Sequence, residues 1–278
     1  NYLAQNAILL GAGGFAQVFQ GQSGEIALKI FKPAETPEEE RKMQLKKRNQ
    51  IEAILQSQIK HPNVVEVLGA SKKGETKQWI AFERIKGQTL KDYLAKRKIL
   101  HESDAIEIIL QIIEGVEAIH GKRIAHRDLN PKNAYVEEDP KTGEIQRAKV
   151  SDFGLAKDIL GELTGESKMQ LTRYFGDAPV VGTLGWVGPE HPLFSWFEQK
   201  GKLTDEERGA WLVGNDVIPI GTMLYMMLTG KMPFPETAEG FREYCVSPEP
   251  YEKAIVEALA EGKTVRQIIG EIIDARKG

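Results

Sequence analysis

The segment 126–133, with the sequence HRDLNPKN, places an aspartate and an asparagine five positions apart, and this spacing constrains the chain most strongly. Asp128 is suited to accept the proton of a hydroxyl group, and Asn133 is suited to hold a magnesium ion. A phosphoryl transfer needs both, because its transition state carries spread negative charge that the protein must position and neutralise. One irregular loop can present both side chains to one cleft. Taken alone, the segment is also compatible with an ordinary polar turn.

A second carboxylate, Asp152, follows a short predicted strand over 148–150 and precedes Phe153 and Gly154. At the end of a strand it would project toward the same cleft. Together with Asn133 it would complete a site of oxygen ligands for magnesium. The sequence Asp-Phe-Gly is common by chance, but its position after 126–133 makes a shared site the more specific interpretation.

A glycine-rich turn joins the first two predicted strands, which cover 8–10 and end near residue 20. Gly11, Gly13 and Gly14 permit a tight turn and a close approach of the backbone to phosphate oxygens. A strand follows this turn instead of a helix, which argues against a Rossmann turn or a Walker loop. By itself the turn is weak evidence, because many hairpins contain one.

Lys29 lies among apolar residues in the third predicted strand, 25–31. It faces water in one interpretation and binds phosphate in the cleft in the other. A lysine in the cleft needs a carboxylate to hold it, and Glu52, on the helix predicted within 38–60, is the candidate. Spacing alone does not decide whether Glu52 pairs with Lys29 or is a solvated helix charge.

Two further predicted strands, 64–68 and 78–82, complete a small lobe of five strands and one helix. Residues 83–87 form the connector out of this lobe. The backbone of a connector beside a cleft could bind the edge of an adenine ring, with Phe82 behind it. A short helix over 89–98 follows.

Two helices are predicted to form most of the remaining core. The first begins at Ser103 as its N-cap, and its apolar stripe consists of Ile106, Ile109, Leu110, Ile113, Val116 and Ile119. The second covers 217–228 and is opened by Asp216. Pro219 is acceptable in its first turn, because that turn has no N–H bond to lose.

Composition limits the classes of function. The 278 residues carry a net charge of −3, so no basic field indicates nucleic acid, and the longest apolar run is too short to insert in a membrane. The single cysteine, Cys245, excludes an internal disulfide and indicates a reducing, cytoplasmic location.

Together the motifs resemble those of a eukaryotic-type protein kinase domain. The resemblance runs from residue 9 to about residue 273, and its motifs are specific only jointly: the glycine-rich hairpin, 27–29, Glu52, 126–128, Asn133, 152–154 and 188–190. It implies an α+β, bilobal kinase fold with a small β-rich N-lobe over 1–84 and a larger, mainly helical C-lobe over 85–278. It also implies ATP and Mg²⁺ as cofactors and a protein as substrate.

The resemblance assigns roles to residues of this sequence. Lys29 would orient the α- and β-phosphates and pair with Glu52, Asp128 would be the catalytic base, and Asn133 and Asp152 would hold magnesium. The nucleotide would further contact Gly11, Ala12, Gly13, Gly14, Phe15, Val18, Ala27, Phe82, Glu83 and Ile85.

The resemblance also implies that Asp216 anchors the backbone of the catalytic loop.

Departures from the family pattern bear on which residue accepts the phosphate. Serine/threonine kinases usually carry a lysine at the position of Asn130. Lys132 lies where tyrosine kinases often have an arginine, and it could supply the missing positive charge near the γ-phosphate. The segment 182–186 resembles the serine/threonine type, which implies that Thr183 touches Asp128 and either Lys132 or Asn130. Serine or threonine is therefore favoured over tyrosine. Ala16 replaces the third glycine of the glycine-rich loop.

The activation segment is predicted over 152–190. Arg127 could pair with a phosphate on this segment and order it, so control by autophosphorylation is a hypothesis, with Thr172 the leading site. In the other interpretation the segment is a polar surface loop. The aromatic-rich insert 191–211 either docks a partner or, as is favoured, packs on its own lobe.

Two other classes of protein remain open. A pseudokinase or scaffold would bind partners without catalysis, and it predicts the loss of Lys29, Asp128 or Asp152, all of which are present. A small-molecule phosphotransferase of the aminoglycoside or choline kinase type shares the loop spacing but normally lacks segments such as 182–186 and 188–190. The start of the chain just before the first strand suggests a domain of a longer protein.

Overall fold

The computed structural model describes residues 8–12, 16–32, 45–72, 75, 77–154, 156–158 and 205–232. The first lobe contains a five-stranded antiparallel sheet, in which the first three strands are neighbours in chain order and the fifth lies between the third and the fourth. Its elements are β1 (Leu9–Ala12), β2 (Ala16–Gln20), β3 (Ile26–Phe31), α1 (Leu45–Ser57), β4 (Val67–Ala70) and β5 (Trp79–Glu83). Within the described residues of this lobe, the five predicted strands and a helix inside the predicted range 38–60 are present. Strands β1, β3 and β5 begin one residue later than predicted, and β4 begins three residues later, because Val64 instead forms a parallel bridge to Val150.

The second lobe contains three further helices and five short strands within the described ranges. Its elements are β6 (Gln88–Thr89), α2 (Leu90–Arg97), α3 (Glu102–His120), β7 (Ile124–Ala125), β8 (Ala134–Glu138), β9 (Ile145–Val150), β10 (Lys157–Asp158) and α4 (Asp205–Thr229). The strands form two small sheets, β6-β8-β9 and β7-β10. An α+β fold with a β-rich lobe and a helical lobe is thereby confirmed, whereas the boundary between residues 84 and 85 stays a prediction.

Helix α3 is the centre of the second lobe, where it packs between α4 and β9. Its buried apolar residues are Ala105, Ile108, Ile109, Ile112, Ile113, Val116 and Ile119. Burying one such isoleucine contributes about 1.5–3 kcal/mol relative to exposing it. The predicted stripe is partly wrong, because neighbours on two sides bury a wider face: Ile108 and Ile112 are buried, whereas Leu110 is exposed and Ile106 is half-buried.

The start of α3 also differs from the prediction. His101 is the N-cap in place of Ser103, since its backbone is extended and its Nδ1 accepts the backbone N–H of Ser103. The helix therefore begins at Glu102. A histidine is a rare cap, and the serine two positions later carried the stronger sequence signal.

Helix α4 is longer than its apolar run. It spans Asp205–Thr229, so Asp216 lies inside the helix and Pro219 occupies an interior position. The prediction that Asp216 opens the helix is wrong. Pro219 provides no N–H for the preceding turn, but the helix continues because its apolar face is buried, with Val217, Ile220, Met223 and Met227 in the core. No helix in the described ranges is long and apolar enough to cross a membrane.

Residues 61–65, after α1, attach the first lobe to the second. The Nδ2 atom of Asn63 donates to the carbonyl of Ala148 at 2.8 Å and to Oε1 of Gln111 at 3.1 Å. Gly115 of α3 lies against this segment, because a Cβ there would come within 2.5 Å of the Asn63 carbonyl oxygen. The end of α1 is therefore fixed to α3 and β9.

Candidate active site

One face of the five-stranded sheet carries the predicted nucleotide-binding side chains. Val18 lies opposite Lys29 in the β2–β3 pair, and Ala27 lies opposite Phe82 in the β3–β5 pair. Opposed residues of antiparallel strands point to the same face, and alternation along β3 adds Ala27 to the face of Lys29. This face is turned toward the second lobe, because Lys29 contacts Asp152 there. Gly11 and Ala12 lie in β1 and are exposed.

Lys29 lies between two carboxylates. Its Nζ is 2.6 Å from Oε1 of Glu52 and 3.1 Å from Oδ1 of Asp152. Burial opposes the charge of Lys29, but Glu52 and then Asp152 outweigh burial and raise the pKa of Lys29 above its ordinary value. The side chain of Lys29 therefore faces the cleft and pairs with Glu52, instead of facing water.

Asp152 reaches the cleft from the turn after β9. Its φ of 64° is in the left-handed region, which aspartate adopts more readily than most residues. The N–H of Gly154 donates to Oδ1 at 3.2 Å. Burial raises the pKa of Asp152, but Lys29 and this N–H lower it overall. The carboxylate is ionised, and its side chain keeps 46% of its exposure, so it is open to a ligand.

The catalytic-loop segment 126–133 is anchored by Asp216 of α4. The buried carboxylate of Asp216 accepts the backbone N–H groups of His126 and Arg127, each at 2.7 Å, and Nε2–H of His120 at 2.8 Å. The φ of 68° at Arg127 turns the two successive N–H groups toward one carboxylate. Burial raises the pKa of Asp216, but the hydrogen bonds from His120 and Arg127 lower it overall.

His126 joins this loop to the turn that carries Asp152. Its Nδ1 accepts the N–H of Asp128 at 3.3 Å, so Nε2 carries the proton and donates to the carbonyl of Ser151 at 3.0 Å. The ring also packs edge-on against buried Phe153, with ring centroids 5.0 Å apart. The candidate base and the candidate metal ligand thus belong to one connected unit.

Asn133 orients Asp128. Its Nδ2 donates to the carbonyl of Asp128 at 2.8 Å and to Oδ2 of Asp128 at 3.0 Å. With Nδ2 engaged, Oδ1 of Asn133 has no hydrogen-bond partner in the described part of the chain. The N–H of Ser151 donates to the Asn133 carbonyl at 2.8 Å, which places Asn133 beside the turn of Asp152.

The residues around this turn fit a magnesium site that is completed by a substrate. Mg²⁺ prefers oxygen ligands and is commonly bound by one or two carboxylates together with phosphates. The open carboxylate of Asp152 and Oδ1 of Asn133 supply such oxygens. No group of three or more His, Cys, Asp or Glu residues that could hold a metal occurs in the described ranges.

Asn130 and Lys132 take different parts in the loop. Asn130 is buried, its Nδ2 donates to the carbonyl of Asp128 at 2.9 Å, and its Oδ1 accepts the N–H of Lys132 at 2.9 Å. Both ends of the amide therefore shape the loop. The side chain of Lys132 is exposed and forms no ion pair with the described residues. The charge of Lys132 is therefore available to a ligand, whereas the amide of Asn130 is engaged within the loop.

Glu83 is the last residue of β5 and the first of the connector, and its side chain forms hydrogen bonds within the protein. Glu83 accepts a hydrogen bond from Nζ of Lys149 at 2.5 Å and from the N–H of Glu66 at 2.9 Å. The N–H and C=O of Ile85 have no hydrogen-bond partner in the ranges that the structure covers. The side chain of Glu83 is therefore engaged, so a contact of Glu83 with a nucleotide would have to come from its backbone. The backbone N–H and C=O of Ile85 are available for such a contact.

The motifs did not point to Lys149 or Tyr135. Tyr135 lies opposite Lys149 in the β8–β9 pair. Burial and the charge of Asp152 raise the pKa of Tyr135, against the charge of Lys29 and a hydrogen bond with Ser151. The available signals were a lysine in a strand next to Asp-Phe-Gly and a tyrosine two positions after the loop asparagine.

Some predicted residues lie outside the described ranges. These are Gly13, Gly14, Phe15, Thr172, Thr183, the segment 188–190 and residues 191–204 of the insert 191–211, whose last residues, 205–211, belong to α4.

Fold and site together define a class of protein, a bilobal phosphotransferase fold with a paired lysine and an Asp–Asn loop in one cleft. The family model described as "Protein kinase domain" matches residues 5–263, and the chain therefore belongs to the protein kinase family. It is 28% identical over 247 residues to the serine/threonine-protein kinase pkn3 of Myxococcus xanthus, covering 87% of this chain and 40% of that protein. It is 27% identical over 230 residues to the serine/threonine-protein kinase PrkC of Bacillus subtilis, covering 81% of this chain and 30% of that protein. The chain thus spans well under half the length of these curated relatives.

Proposed function

We propose that this chain transfers the γ-phosphate of ATP to a serine or threonine hydroxyl of a protein substrate. The observation that carries the proposal is Lys29, held by Glu52 at 2.6 Å and by Asp152 at 3.1 Å in the cleft between the lobes. A lysine fixed in this way is already positioned to bind the α- and β-phosphates. Asn133 and Asp152 would hold Mg²⁺, which when bound neutralises charge on the phosphate oxygens.

Asp128 is the proposed base. Its carboxylate, oriented by Asn133, would accept the proton of the substrate hydroxyl as that oxygen bonds to the γ-phosphorus and the bond to ADP breaks. The backbone of the loop is held by Asp216, so Asp128 need not reorganise during the reaction. Lys132 would place its charge near the γ-phosphate, in the role left open by Asn130.

The choice of acceptor rests on two supports. Relatives named as serine/threonine kinases match most of the chain, and Thr183 belongs to a segment of serine/threonine type. Autophosphorylation within 152–190, with Arg127 as the phosphate partner, is part of the proposal. So is a cytoplasmic location, supported by the single cysteine.

The test is incubation of the purified protein with γ-labelled ATP, Mg²⁺ and generic protein substrates, beside an Asp152→Asn control. Label on serine or threonine that is lost in the control supports the proposal. Label on tyrosine would contradict the proposed acceptor. Tight ATP binding without any transfer would favour a scaffold.

A further inference from the structure

A buried lysine outside the proposed catalytic set holds the connector between the lobes. The side chain of Lys149 in β9 is only 5% exposed, and its Nζ lies 2.5 Å from Oε1 of Glu83. Lysine is almost never buried unless it is paired. Its partner here is the last residue of β5, where the connector begins, and that carboxylate also accepts the N–H of Glu66 at 2.9 Å.

The rest of the connector is fixed from two other directions. The N–H of Arg84 donates to the carbonyl of Glu25 at 2.8 Å, and its guanidinium donates to the carbonyl of Gly24 at 3.0 Å. The N–H of Lys86 donates to Glu137 at 2.7 Å. The residues on both sides of position 85 are therefore tied to the turn before β3 in the first lobe and to β8 in the second.

Ile85 differs from its neighbours, because its N–H and C=O make no hydrogen bond with the described residues. A donor and an acceptor on one residue match the edge of a nucleotide base. Their direction depends on how the preceding residues are held, and Lys149 holds the carboxylate of Glu83. Lys149 also lies opposite Tyr135 on the same face of β8–β9, and its contact with Glu83 places it beside the connector.

We propose that Lys149 is a positioning residue for the nucleotide base. By fixing the carboxylate of Glu83 against β9, it sets the orientation of the backbone at 83–85 that contacts the base. It takes no part in the transfer, which the proposal assigns to residues around Lys29 and Asp128. This inference rests on the proposed ATP-dependent function.

The test compares Mg-ATP with Mg-tripolyphosphate, which has the phosphates but no base, by calorimetric titration of wild type and Lys149→Met. The Kd for ATP should rise about tenfold, less than the ~100-fold cost of a 1 Å misplacement at the reacting atoms. The Kd for tripolyphosphate should stay the same, because its contacts are at Lys29 and the metal ligands. The KM for ATP should rise with kcat unchanged, as expected when uniform binding is lost.

Two further variants keep the test independent of folding. Glu83→Gln removes the charge of the partner but keeps an acceptor for the N–H of Glu66, and it should weaken ATP binding in the same direction. The double variant should bind ATP no more weakly than Lys149→Met, because both changes remove one interaction. Lys122→Met, the same change at an exposed lysine after α3, should leave both affinities unchanged.

Unchanged ATP affinity in Lys149→Met and Glu83→Gln would overturn the inference. An equal loss of affinity for ATP and tripolyphosphate would also overturn it, because the effect would then not depend on contacts with the base. If Lys149→Met does not fold, the Glu83→Gln result decides. If wild type binds tripolyphosphate but gains nothing from the base of ATP, the inference fails while a phosphate-binding cleft remains. If wild type binds neither ligand, the proposed function fails first.

Discussion

At the scale of single residues, the proposed chemistry depends on the largely buried pair of Lys29 and Glu52. A buried ion pair is weak evidence for stability, because desolvating two charges offsets their attraction. The pair is better explained by position, since it holds an ammonium group 3.1 Å from the open carboxylate of Asp152. Changes at this pair should therefore reduce transfer more than they reduce stability.

Lys29→Met should lower the rate of phosphate transfer by about 10²–10³-fold, the usual cost of losing one group that stabilises developing charge. Glu52→Gln keeps the size of the side chain but releases Lys29, so its rate should fall to a smaller extent. Initial rates of label transfer and thermal unfolding curves check both variants. Lys60→Met, at an exposed lysine, is the matched control. A full rate in Glu52→Gln would show that Lys29 needs no partner.

At the scale of elements, α4 acts on the catalytic loop through Asp216. The folded-state pKa of Asp216 lies below its ordinary value of 3.8. Its contribution to stability is therefore present above the unfolded pKa and is lost as the pH falls through the folded pKa. The free energy of unfolding of wild type should fall more steeply than that of Asp216→Asn between about pH 5 and pH 2.

Urea unfolding at a series of pH values measures this difference. The Asp216→Asn variant should also be less stable than wild type at neutral pH, because the N–H groups of His126 and Arg127 lose their charged acceptor. Parallel curves for the two proteins across the acid range would contradict the role given to Asp216.

Two helical glycines give a matched comparison of packing. A Cβ at Gly115 in α3 would meet the carbonyl oxygen of Asn63 at 2.5 Å, which is backbone and cannot move aside cheaply. Gly115→Ala should therefore lower the free energy of unfolding by about 1–3 kcal/mol. Gly221 in α4 has no described atom within 4 Å of the same position, so Gly221→Ala should raise it by about 0.5–1 kcal/mol. Chemical denaturation measures both, and equal signs for the two changes would contradict the packing described for α3.

Elements with strong periodicity could be predicted from sequence, and those without it could not. Strand β3 and helix α3 carry long apolar patterns, which indicated them correctly. Strands β6, β7 and β10 are two residues long, and two residues have no period to detect. The sequence did not indicate the start of α4, because its first turn, with the sequence DEERG, carries no large apolar residue and Trp211 belongs to the predicted aromatic-rich insert.

At the scale of the whole molecule, the site is a product of contacts between the lobes. Lys29 meets Asp152 across the cleft, Glu83 meets Lys149 at the connector, and Asn63 joins α1 to β9. The sequence motifs indicated Lys29, Asp128 and Asn133, because each of these residues belongs to a short motif that can be recognised in the sequence. They did not indicate Lys149 or Asn63, whose roles depend on partners far away in the chain.

The central claim is that this cleft both binds ATP and transfers its γ-phosphate, and Asp128→Asn separates the two. ATP affinity and single-turnover transfer to a protein substrate should be measured on wild type and on this variant. The ATP affinity should be unchanged, and the rate should fall about 10²–10⁴-fold, the usual contribution of a general base. Equal transfer by both proteins, or no transfer by wild type with ATP bound, would contradict the claim.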